Sequence, residues 1–397
     1  MWAFYIMPVY TVGELFLLYR LLSWLGKAAP VTKRKMIRIP LILAFLFCAY
    51  SMGIAFVLPV GGLQKVLKGL GNLWLAITLY AIMLDVLMLL VVLIIRKIKK
   101  IPGKEWKNSR AFVRAGAITL AGIIAVCTYG IINSRIIRET DYEITIRKDG
   151  GSLSELNLVL VSDLHMGYNV GCWQMQQMVD KINGMDADIV VIAGDIFDNE
   201  IEALDDPDRL AEILGSIKNR YGVYAVYGNH DCQEKILAGF TFPSDKKKMS
   251  DPGMDELVEK AGITLLRDEA VLIDDSFYLF GRADLERPGR DIDVRKNAEE
   301  IAASVDPDKP LIVLDHIPKE MDALSAAGVD LVLNGHTHDG QTYPLDIIND
   351  IKWENSYGYA VYGDMQQIVT SGVGIWGPAM RVGTIAEVCD VKITFAG

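Results

Sequence analysis

The five histidines of this 397-residue sequence all lie in its C-terminal two thirds, each at or just after the end of a predicted β-strand. They are His165, His230, His316, His336 and His338, and Asp163, Asp195, Asn229 and Asp231 stand beside them at the same strand ends. Loops at the carboxyl ends of neighbouring strands gather their side chains into one crevice. Imidazole and carboxylate ligands without a thiolate suit Mn, Fe, Zn or Ni better than Ca. The sequence therefore predicts a metal site.

Each of these residues alone carries little information. A lone histidine in a loop is usually a hydrogen-bonded surface or core residue, and an aspartate at a strand end is usually a helix cap or a turn former. Their joint placement, with no histidine among the first 138 residues, is what favours a site.

The elements that must position these side chains are short β-branched runs that alternate with amphipathic helical patterns. The runs are 156–162, 188–193, 222–227, 310–315 and 330–334. Because they are apolar on both faces, they predict strands that are covered on both sides, as in an α/β layered domain. A late cluster of shorter strands, near 264–281 and 365–395, predicts a second sheet packed on the first.

The N-terminal part is of another kind, an all-α membrane bundle. Four apolar stretches, 3–24, 40–60, 74–95 and 112–133, have about the 20-residue length needed to cross a bilayer. Glu14 and Arg20 interrupt the first stretch, which also lacks the features of a removable signal peptide. We predict a transmembrane region of about four helices over residues 1–138 and a soluble domain over 139–397.

Charge divides the chain at the same place. Residues 1–138 hold 18 of the 40 basic and 3 of the 50 acidic side chains, so the rest of the chain is strongly acidic. An acidic domain repels polyanions, so no nucleic-acid polymer is expected as a partner, although bound cations would still allow one phosphate to bind.

The orientation of the chain in the membrane is predicted from the connectors between the apolar stretches. Basic residues collect in the first connector, 25–39, and in the third, 96–111, and they are sparse in the second. If these basic connectors face the cytoplasm, four spans place the soluble domain on the extracytoplasmic side of the cell membrane. Arg135 and Arg138, just after the last span, argue weakly against this orientation.

Five short motifs resemble those of the calcineurin-like metallophosphoesterases. They are DLH at 163–165, GDIFD at 194–198, GNHD at 228–231, HIP at 316–318 and GHTHDG at 335–340, in the order that the family has them. The resemblance covers about residues 153–395. The closing segment SGVGIWGPAMRVG at 371–383 is similar to that of the membrane-anchored bacterial branch, the YkuE-like and YaeI-like proteins.

The resemblance implies a metallophosphoesterase-type α/β/β/α sandwich with two divalent metal ions. Asp163, His165 and His338 would bind one ion, Asn229, His316 and His336 the other, and Asp195 would bridge them. His230 and Asp231 are the predicted catalytic positions. His230 would lie beside the leaving-group oxygen as an acid or a charge stabiliser, while Asp231, like Asp198, would orient the ligands.

The expected reaction is hydrolysis of a phosphomonoester or phosphodiester. Two cations roughly 3.5–4 Å apart share a water, lower its pKa toward about 7 and hold the resulting hydroxide in line with phosphorus. Anchoring alone motivates a membrane or wall substrate: a phospholipid, a nucleotide-linked lipid precursor or a cell-wall polymer. The identity of the metals stays open.

Substrate contacts are weakly indicated. Arg282, Arg287 and Arg290 in GRADLERPGR are candidates to meet substrate phosphates, with surface ion pairing as the alternative. Tyr168 is a candidate to stack on a base or sugar, and core packing explains it equally well. The stretch 232–251, with two phenylalanines and three lysines, is a candidate cap or else a solvated loop.

An alternative function has the same fold but no catalytic activity. It is a membrane receptor or transporter whose phosphoesterase-like domain binds metal or nucleotide but does not catalyse. The four apolar stretches favour this alternative, and so does Asp85 in the middle of the third, because an ionised carboxylate is costly inside a membrane. A neutral or paired Asp85 inside a small helical bundle is the competing explanation.

Overall fold

The computed structural model describes residues 2–397 except 235, 238–239, 242–249 and 290–291. The chain forms two compact units, Met1–Ile131 and Ile132–Gly397. Their boundary lies a few residues before the predicted division at 138/139. The last long helix of the N-terminal part ends at Asn133, and the first strand begins at Ile137.

The first unit is helical, as predicted. Its helices are α1 (Trp2–Ala28), α2 (Lys35–Val57), α3 (Gly62–Ile98), α4 (Gly103–Asn108) and α5 (Arg110–Asn133). Among the described residues, α2, α3 and α5 are long and apolar enough to cross a membrane. The first predicted span is a long helix too, but it is not one of these three.

Three charged side chains within the apolar helices have partners inside this unit. Arg20 donates to both carboxylate oxygens of Asp85, at 2.8 and 3.0 Å. Glu14 is fully buried and accepts hydrogen bonds from Trp74 Nε1 at 3.1 Å and Thr78 Oγ1 at 2.7 Å. Asp85 therefore has the paired environment that was one of its two sequence-based explanations.

The second unit is built from two sheets and flanking helices. Its strands are β1 (Ile137–Ile146), β2 (Glu155–Val161), β3 (Ile189–Ala193), β4 (Val223–Val226), β5 (Ile236–Leu237), β6 (Phe240–Thr241), β7 (Ile263–Leu265), β8 (Glu269–Ile273), β9 (Phe277–Gly281), β10 (Leu311–Leu314), β11 (Leu331–Asn334), β12 (Gly358–Tyr362), β13 (Met365–Val369) and β14 (Ala386–Phe395). Its helices are α6 (Cys172–Ile182), α7 (Pro207–Leu214), α8 (Pro252–Lys260), α9 (Ala298–Ala302), α10 (Met321–Ala326) and α11 (Leu345–Lys352).

The first sheet has the order β1-β14-β2-β3-β4-β7, and the second has the order β12-β13-β11-β10-β9-β8. β2, β3 and β4 run parallel to one another, as do β10 and β11. Parallel neighbours end at the same edge of their sheet, so the loops that follow them meet there.

Alternating side chains of the strands fill three buried layers. In β2, Leu158 and Leu160 lie in the cluster between the two sheets, where Ile312 and Leu333 of the second sheet also lie. Val159 and Val161 face the other way, into the cluster that holds apolar residues of α6, α7 and α8. A third cluster joins the second sheet to α9 and α10. The predicted α/β/β/α sandwich is confirmed.

The strands are distributed differently from the expectation of an early sheet and a late sheet. The two runs at 310–315 and 330–334 belong to the second sheet, while β14, from the late cluster, lies in the first sheet between β1 and β2. The apolar pattern of a strand reveals that both its faces are covered, but it does not reveal which neighbour it pairs with.

Candidate metal centre

Five strand ends deliver the predicted site residues to one place. Asp163 and His165 follow β2, Asp195 follows β3, and Asn229 and His230 follow β4. From the second sheet, His316 follows β10, and His336 and His338 follow β11. Six of the seven predicted metal ligands are at most 8% exposed, and the seventh, His336, is half-buried. The two sheets therefore each supply part of a single buried group.

Asp163, His165 and His338 form the first cluster of candidate metal ligands. The Nε2 atoms of His165 and His338 lie 3.0 Å apart, and Nε2 of His338 lies 3.3 Å from Oδ1 of Asp163. The structure thus brings together the three residues that the resemblance assigns to one ion.

Asp195, His316 and His336 form the second cluster. Oδ2 of Asp195 lies 3.1 Å from Nε2 of His316, and Nδ1 of His336 lies 3.3 Å from that same nitrogen. Nδ1 of His336 also lies 2.9 Å from Oδ1 of Asn229, so the amide oxygen joins this group. Nδ1 of His316 donates to the carbonyl oxygen of Ala193 at 2.7 Å, which leaves its Nε2 directed at the cluster.

Asp195 faces both clusters through one oxygen. Its Oδ2 lies 3.7 Å from Nε2 of His165 and 3.1 Å from Nε2 of His316. The other oxygen, Oδ1, accepts a hydrogen bond from the backbone N–H of His230 at 2.7 Å, which fixes the orientation of the carboxylate.

The backbone at the site adopts conformations that non-glycine residues rarely have. Asp163, His165, Asp195, His336 and His338 all have positive φ, between 45° and 73°. Such conformations cost free energy and are held only where the surroundings dictate them, as they often are at functional sites. Gly372, at φ 77°, lies against this region: a Cβ there would be 2.6 Å from Cβ of Asp163.

The donor set fits divalent cations. Nitrogen and oxygen lone pairs of several buried side chains point at one another at 3.0–3.3 Å, an arrangement that a cation between them would stabilise. Burial lowers the pKa of His336 and of His338, so both imidazoles are neutral, the form that binds a metal. Nδ1 of His165 is buried without a hydrogen-bond partner, 3.7 Å from Oδ1 of Asp198.

His230 lies at the edge of the clusters with a defined tautomer. Its Nδ1 is hydrogen-bonded to Oδ1 of Asn199, whose own amide nitrogen donates to the carbonyl oxygen of Cys232 at 2.9 Å. Since Asn199 presents its oxygen, Nδ1 of His230 must carry the proton, and Nε2 is left to accept. Burial lowers the pKa of His230 to about 4, which keeps the ring neutral near pH 7.

Asp231 connects two of the loops that carry ligands. Its Oδ1 accepts a hydrogen bond from the backbone N–H of Phe197 at 2.8 Å, and its Oδ2 accepts one from Gly228 at 2.7 Å. Burial, and then the charge of Asp195, raise the pKa of Asp231 to about 7. These contacts place Asp231 in a positioning role, between the Asp195 loop and the Asn229 loop.

The three residues predicted to contact substrate all have protein partners. Arg282 is 1% exposed and pairs with Asp315 at 3.2 Å and Glu320 at 2.8 Å. Arg287 pairs with Glu234 and Glu286, each at 3.1 Å. The hydroxyl of Tyr168 donates to Glu200. Substrate contact by these three stays a prediction; Arg290 and most of the 232–251 stretch lie outside the described residues.

Two residues that sequence reasoning did not single out contribute to the site. Asn199 fixes the His230 tautomer, and its proximity in sequence to GDIFD was the available signal. Arg381 is fully buried, and its guanidinium donates to the carbonyl oxygens of Ser371 at 2.7 Å, Gly374 at 2.8 Å and His338 at 3.3 Å. It therefore ties the His338 loop to the segment that packs on Asp163.

Comparison with known proteins gives the site a family context. Residues 156–340 match the family model described as calcineurin-like phosphoesterase. A "Transmembrane protein with metallophosphoesterase domain" of Danio rerio is 31% identical over 292 residues, which make up 70% of this chain and 62% of that protein. An "Uncharacterized metallophosphoesterase" of Helicobacter pylori is 28% identical over 243 residues, 60% of each chain.

A third relative has a named substrate. "UDP-2,3-diacylglucosamine pyrophosphatase LpxG" of Chlamydia trachomatis is 22% identical over 243 residues, 53% of this chain and 71% of that protein. The match spans less than two thirds of the length of the fish and Helicobacter proteins. The similarity therefore describes the domain, and it includes relatives named as transmembrane proteins.

Proposed function

We propose that this chain is a membrane-anchored, dinuclear metal-dependent phosphoesterase, because residues 156–340 match the calcineurin-like phosphoesterase model and three of the described helices are long and apolar enough to cross a membrane. One observation carries the proposal: Oδ2 of Asp195 faces His165 of one cluster and His316 of the other. A carboxylate in that position is suited to bridge two cations. The substrate is a phosphomonoester or a phosphodiester.

The residues divide into two ligand groups. Asp163, His165 and His338 would hold one ion, and Asn229, His316 and His336 would hold the other, with Asp195 shared. When bound, such a pair of ions activates a water for attack and neutralises the phosphate oxygens. The neutral amide of Asn229 limits the negative charge of the site, so it leaves net positive charge for the substrate.

His230 acts on the substrate through Nε2. Its Nδ1 is engaged by Asn199, so only Nε2 is available to meet the leaving-group oxygen or a non-bridging oxygen of the phosphate. The lowered pKa of His230 describes the protein without substrate. A bound phosphate dianion adjacent to Nε2 favours the protonated ring, which then stabilises charge or donates the proton.

The substrate class that we propose is a lipid-linked phosphate ester or pyrophosphate. Membrane helices in the same chain keep the catalytic unit near lipid, and the relative named as a UDP-2,3-diacylglucosamine pyrophosphatase acts on a nucleotide-linked lipid. The two basic connectors of the membrane helices support a catalytic unit on the extracytoplasmic side.

The alternative of a non-catalytic receptor or transporter was favoured by Asp85 and the four apolar stretches. The ion pair of Asp85 with Arg20 gives this carboxylate a structural partner, so Asp85 now supports that alternative less. The grouping of the seven predicted ligands supports catalysis instead.

The test uses the full-length chain in detergent, with Mn²⁺ added and a panel of chromogenic phosphomonoesters and phosphodiesters. We expect turnover by the wild type and a loss of about 100-fold or more in both Asp195→Asn and His230→Ala. Asp208→Asn, at an exposed carboxylate paired with Lys260, is the matched control and keeps full activity. Equal rates in all four proteins would overturn the proposal.

A further inference from the structure

Helix α11 is amphipathic, but its apolar side faces solvent and not the core. Ile347, Ile348 and Ile351 are 47%, 57% and 82% exposed, and Tyr343, two residues before the helix begins, is 47% exposed. The three isoleucines lie on one face of the helix. Isoleucine is among the residues most often buried, so this group of four exposed apolar side chains calls for an explanation.

The polar side of α11 is the one that meets the protein. Asn349 Nδ2 donates to the carbonyl oxygen of Thr337 at 2.7 Å, and Asp350 accepts a hydrogen bond from Ser356 at 2.5 Å. The start of the helix approaches Gly340 so closely that a Cβ there would be 2.2 Å from the backbone nitrogen of Asp346. The helix is thus anchored by polar contacts on the loop that carries His336 and His338, and its orientation is not accidental.

Two lysines lie near the C-terminal end of α11. Nζ of Lys352 and Nζ of Lys319 lie 4.5 and 5.5 Å from the ring centre of Trp353, which follows the helix directly. The ring of Trp353 in turn lies 5.3 Å from that of His336. An exposed apolar face with lysines near the helix end is compatible with a membrane interface, where lysines meet anionic headgroups.

We propose that the α11 face, defined as Tyr343, Ile347, Ile348 and Ile351, binds the surface of a lipid bilayer. A bilayer is the partner that the membrane helices indicate, because three described helices of the same chain are long and apolar enough to cross a membrane. Such a tether holds the catalytic unit at high effective concentration near lipid, so a short helix needs to supply only part of the binding free energy. The interface would bring hydrocarbon and headgroups beside the loop of His336 and His338.

The experiment is photo-crosslinking of the full-length chain in nanodiscs of phosphatidylcholine and phosphatidylglycerol that include a phospholipid with a diazirine in its acyl chain. Mass spectrometry locates the lipid adducts. We expect adducts on residues 343–351 of the wild type, and about ten-fold fewer in Ile347→Gln/Ile348→Gln/Ile351→Gln. Adducts on the helices α2, α3 and α5 serve as an internal standard and stay constant.

The matched control is Tyr359→Ser/Val361→Ser, which removes two apolar side chains of β12 that are 48% and 55% exposed. It keeps the adducts on α11. Unchanged metal content and melting temperature show that the triple variant is folded. Absence of adducts on wild-type α11, equal adducts in the triple variant, or an isoleucine-dependent dimer in place of lipid adducts would overturn the proposal. Because the readout needs no turnover, it stands or falls separately from the proposed phosphoesterase activity.

Discussion

His230 and Asn199 form a hydrogen bond that determines which nitrogen of the imidazole is available to a substrate. The amide nitrogen of Asn199 is committed to the carbonyl oxygen of Cys232, so its oxygen must face Nδ1 of His230. This relationship converts a general assignment, a histidine beside the leaving group, into a specific one that involves Nε2.

Substitution of Asn199 should lower kcat without removing the metals. In Asn199→Ala the imidazole is free to rotate and to take either tautomer, so we expect kcat to fall by about 10- to 100-fold with little change in KM. Steady-state kinetics of the full-length chain and metal analysis check this. Asn183→Ala, at a half-buried amide of the same unit that is hydrogen-bonded to Ser216 and Lys218, is the control; a wild-type kcat in Asn199→Ala would contradict the tautomer argument.

The two ligand clusters predict a specific metal stoichiometry. We expect about two divalent ions per wild-type chain and about one in His338→Ala or His316→Ala, because each substitution removes one nitrogen from only one cluster. Inductively coupled plasma mass spectrometry of protein purified with Mn²⁺ measures the ratio. His230→Ala should keep both ions, since its ring is not assigned as a ligand. Loss of metal in that variant, or an empty wild type, would refute the ligand assignment.

Gly372 and Gly262 allow backbone strain to be separated from steric contact. Both have positive φ, 77° and 70°, but a Cβ at Gly262 meets nothing within 4 Å, whereas one at Gly372 would lie 2.6 Å from Cβ of Asp163. Gly262→Ala should cost about 1 kcal/mol of unfolding free energy, and Gly372→Ala about 3 kcal/mol or more. Denaturant unfolding gives both values. Equal costs would mean that the Gly372 segment is free to move away from Asp163.

Glu320 should make stability depend on pH. Burial alone would raise its pKa, but Arg295 and Arg282, at 2.7 and 2.8 Å, outweigh that effect and lower the pKa of Glu320 below its usual 4.5. A lowered folded-state pKa means that the stabilisation is fully present above pH 4.5 and is lost as the pH falls through the lowered value.

Glu320→Gln is therefore expected to be less stable than the wild type by about 1 kcal/mol at pH 7, a figure discounted because the Glu320 side chain is 46% exposed. The difference should shrink below pH 4. Melting temperatures across pH 3.5–7.5 provide the comparison, with Glu354→Gln, at an exposed glutamate, as the control. A constant difference at every pH would exclude ionisation of Glu320 as the cause.

Arg20 and Asp85 are expected to stabilise the helical bundle only when both charges are present. Asp85→Asn leaves the Arg20 cation without its counter-charge among apolar helices, so we expect a loss of about 2–4 kcal/mol in stability. The double variant Arg20→Gln/Asp85→Asn should regain most of it. Thermal unfolding in nanodiscs measures both; equal losses in single and double variants would indicate that the pairing does not stabilise the bundle.

Much of the candidate site was predictable because its residues are local to strand ends. A buried strand can be recognised by a run of apolar residues. Each of the five motifs follows such a run within a few positions: DLH, GDIFD, GNHD, HIP and GHTHDG. Parallel neighbours then bring the motifs of each sheet to one edge, and the packing of the two sheets joins the two groups. The two clusters of the structure contain the residues that the sequence had grouped.

The remaining features depend on tertiary structure. The charges of Arg282 and Arg287 made them candidates for substrate contact, but only the fold places acidic partners beside them. The exposure of the apolar face of α11 is equally unpredictable from sequence, since its isoleucines follow the pattern of an ordinary buried helix side. Side-chain type and spacing determine which residues form strands, helices and metal-binding motifs; which buried groups become partners, and which apolar face stays uncovered, is decided by contacts between segments far apart in the chain.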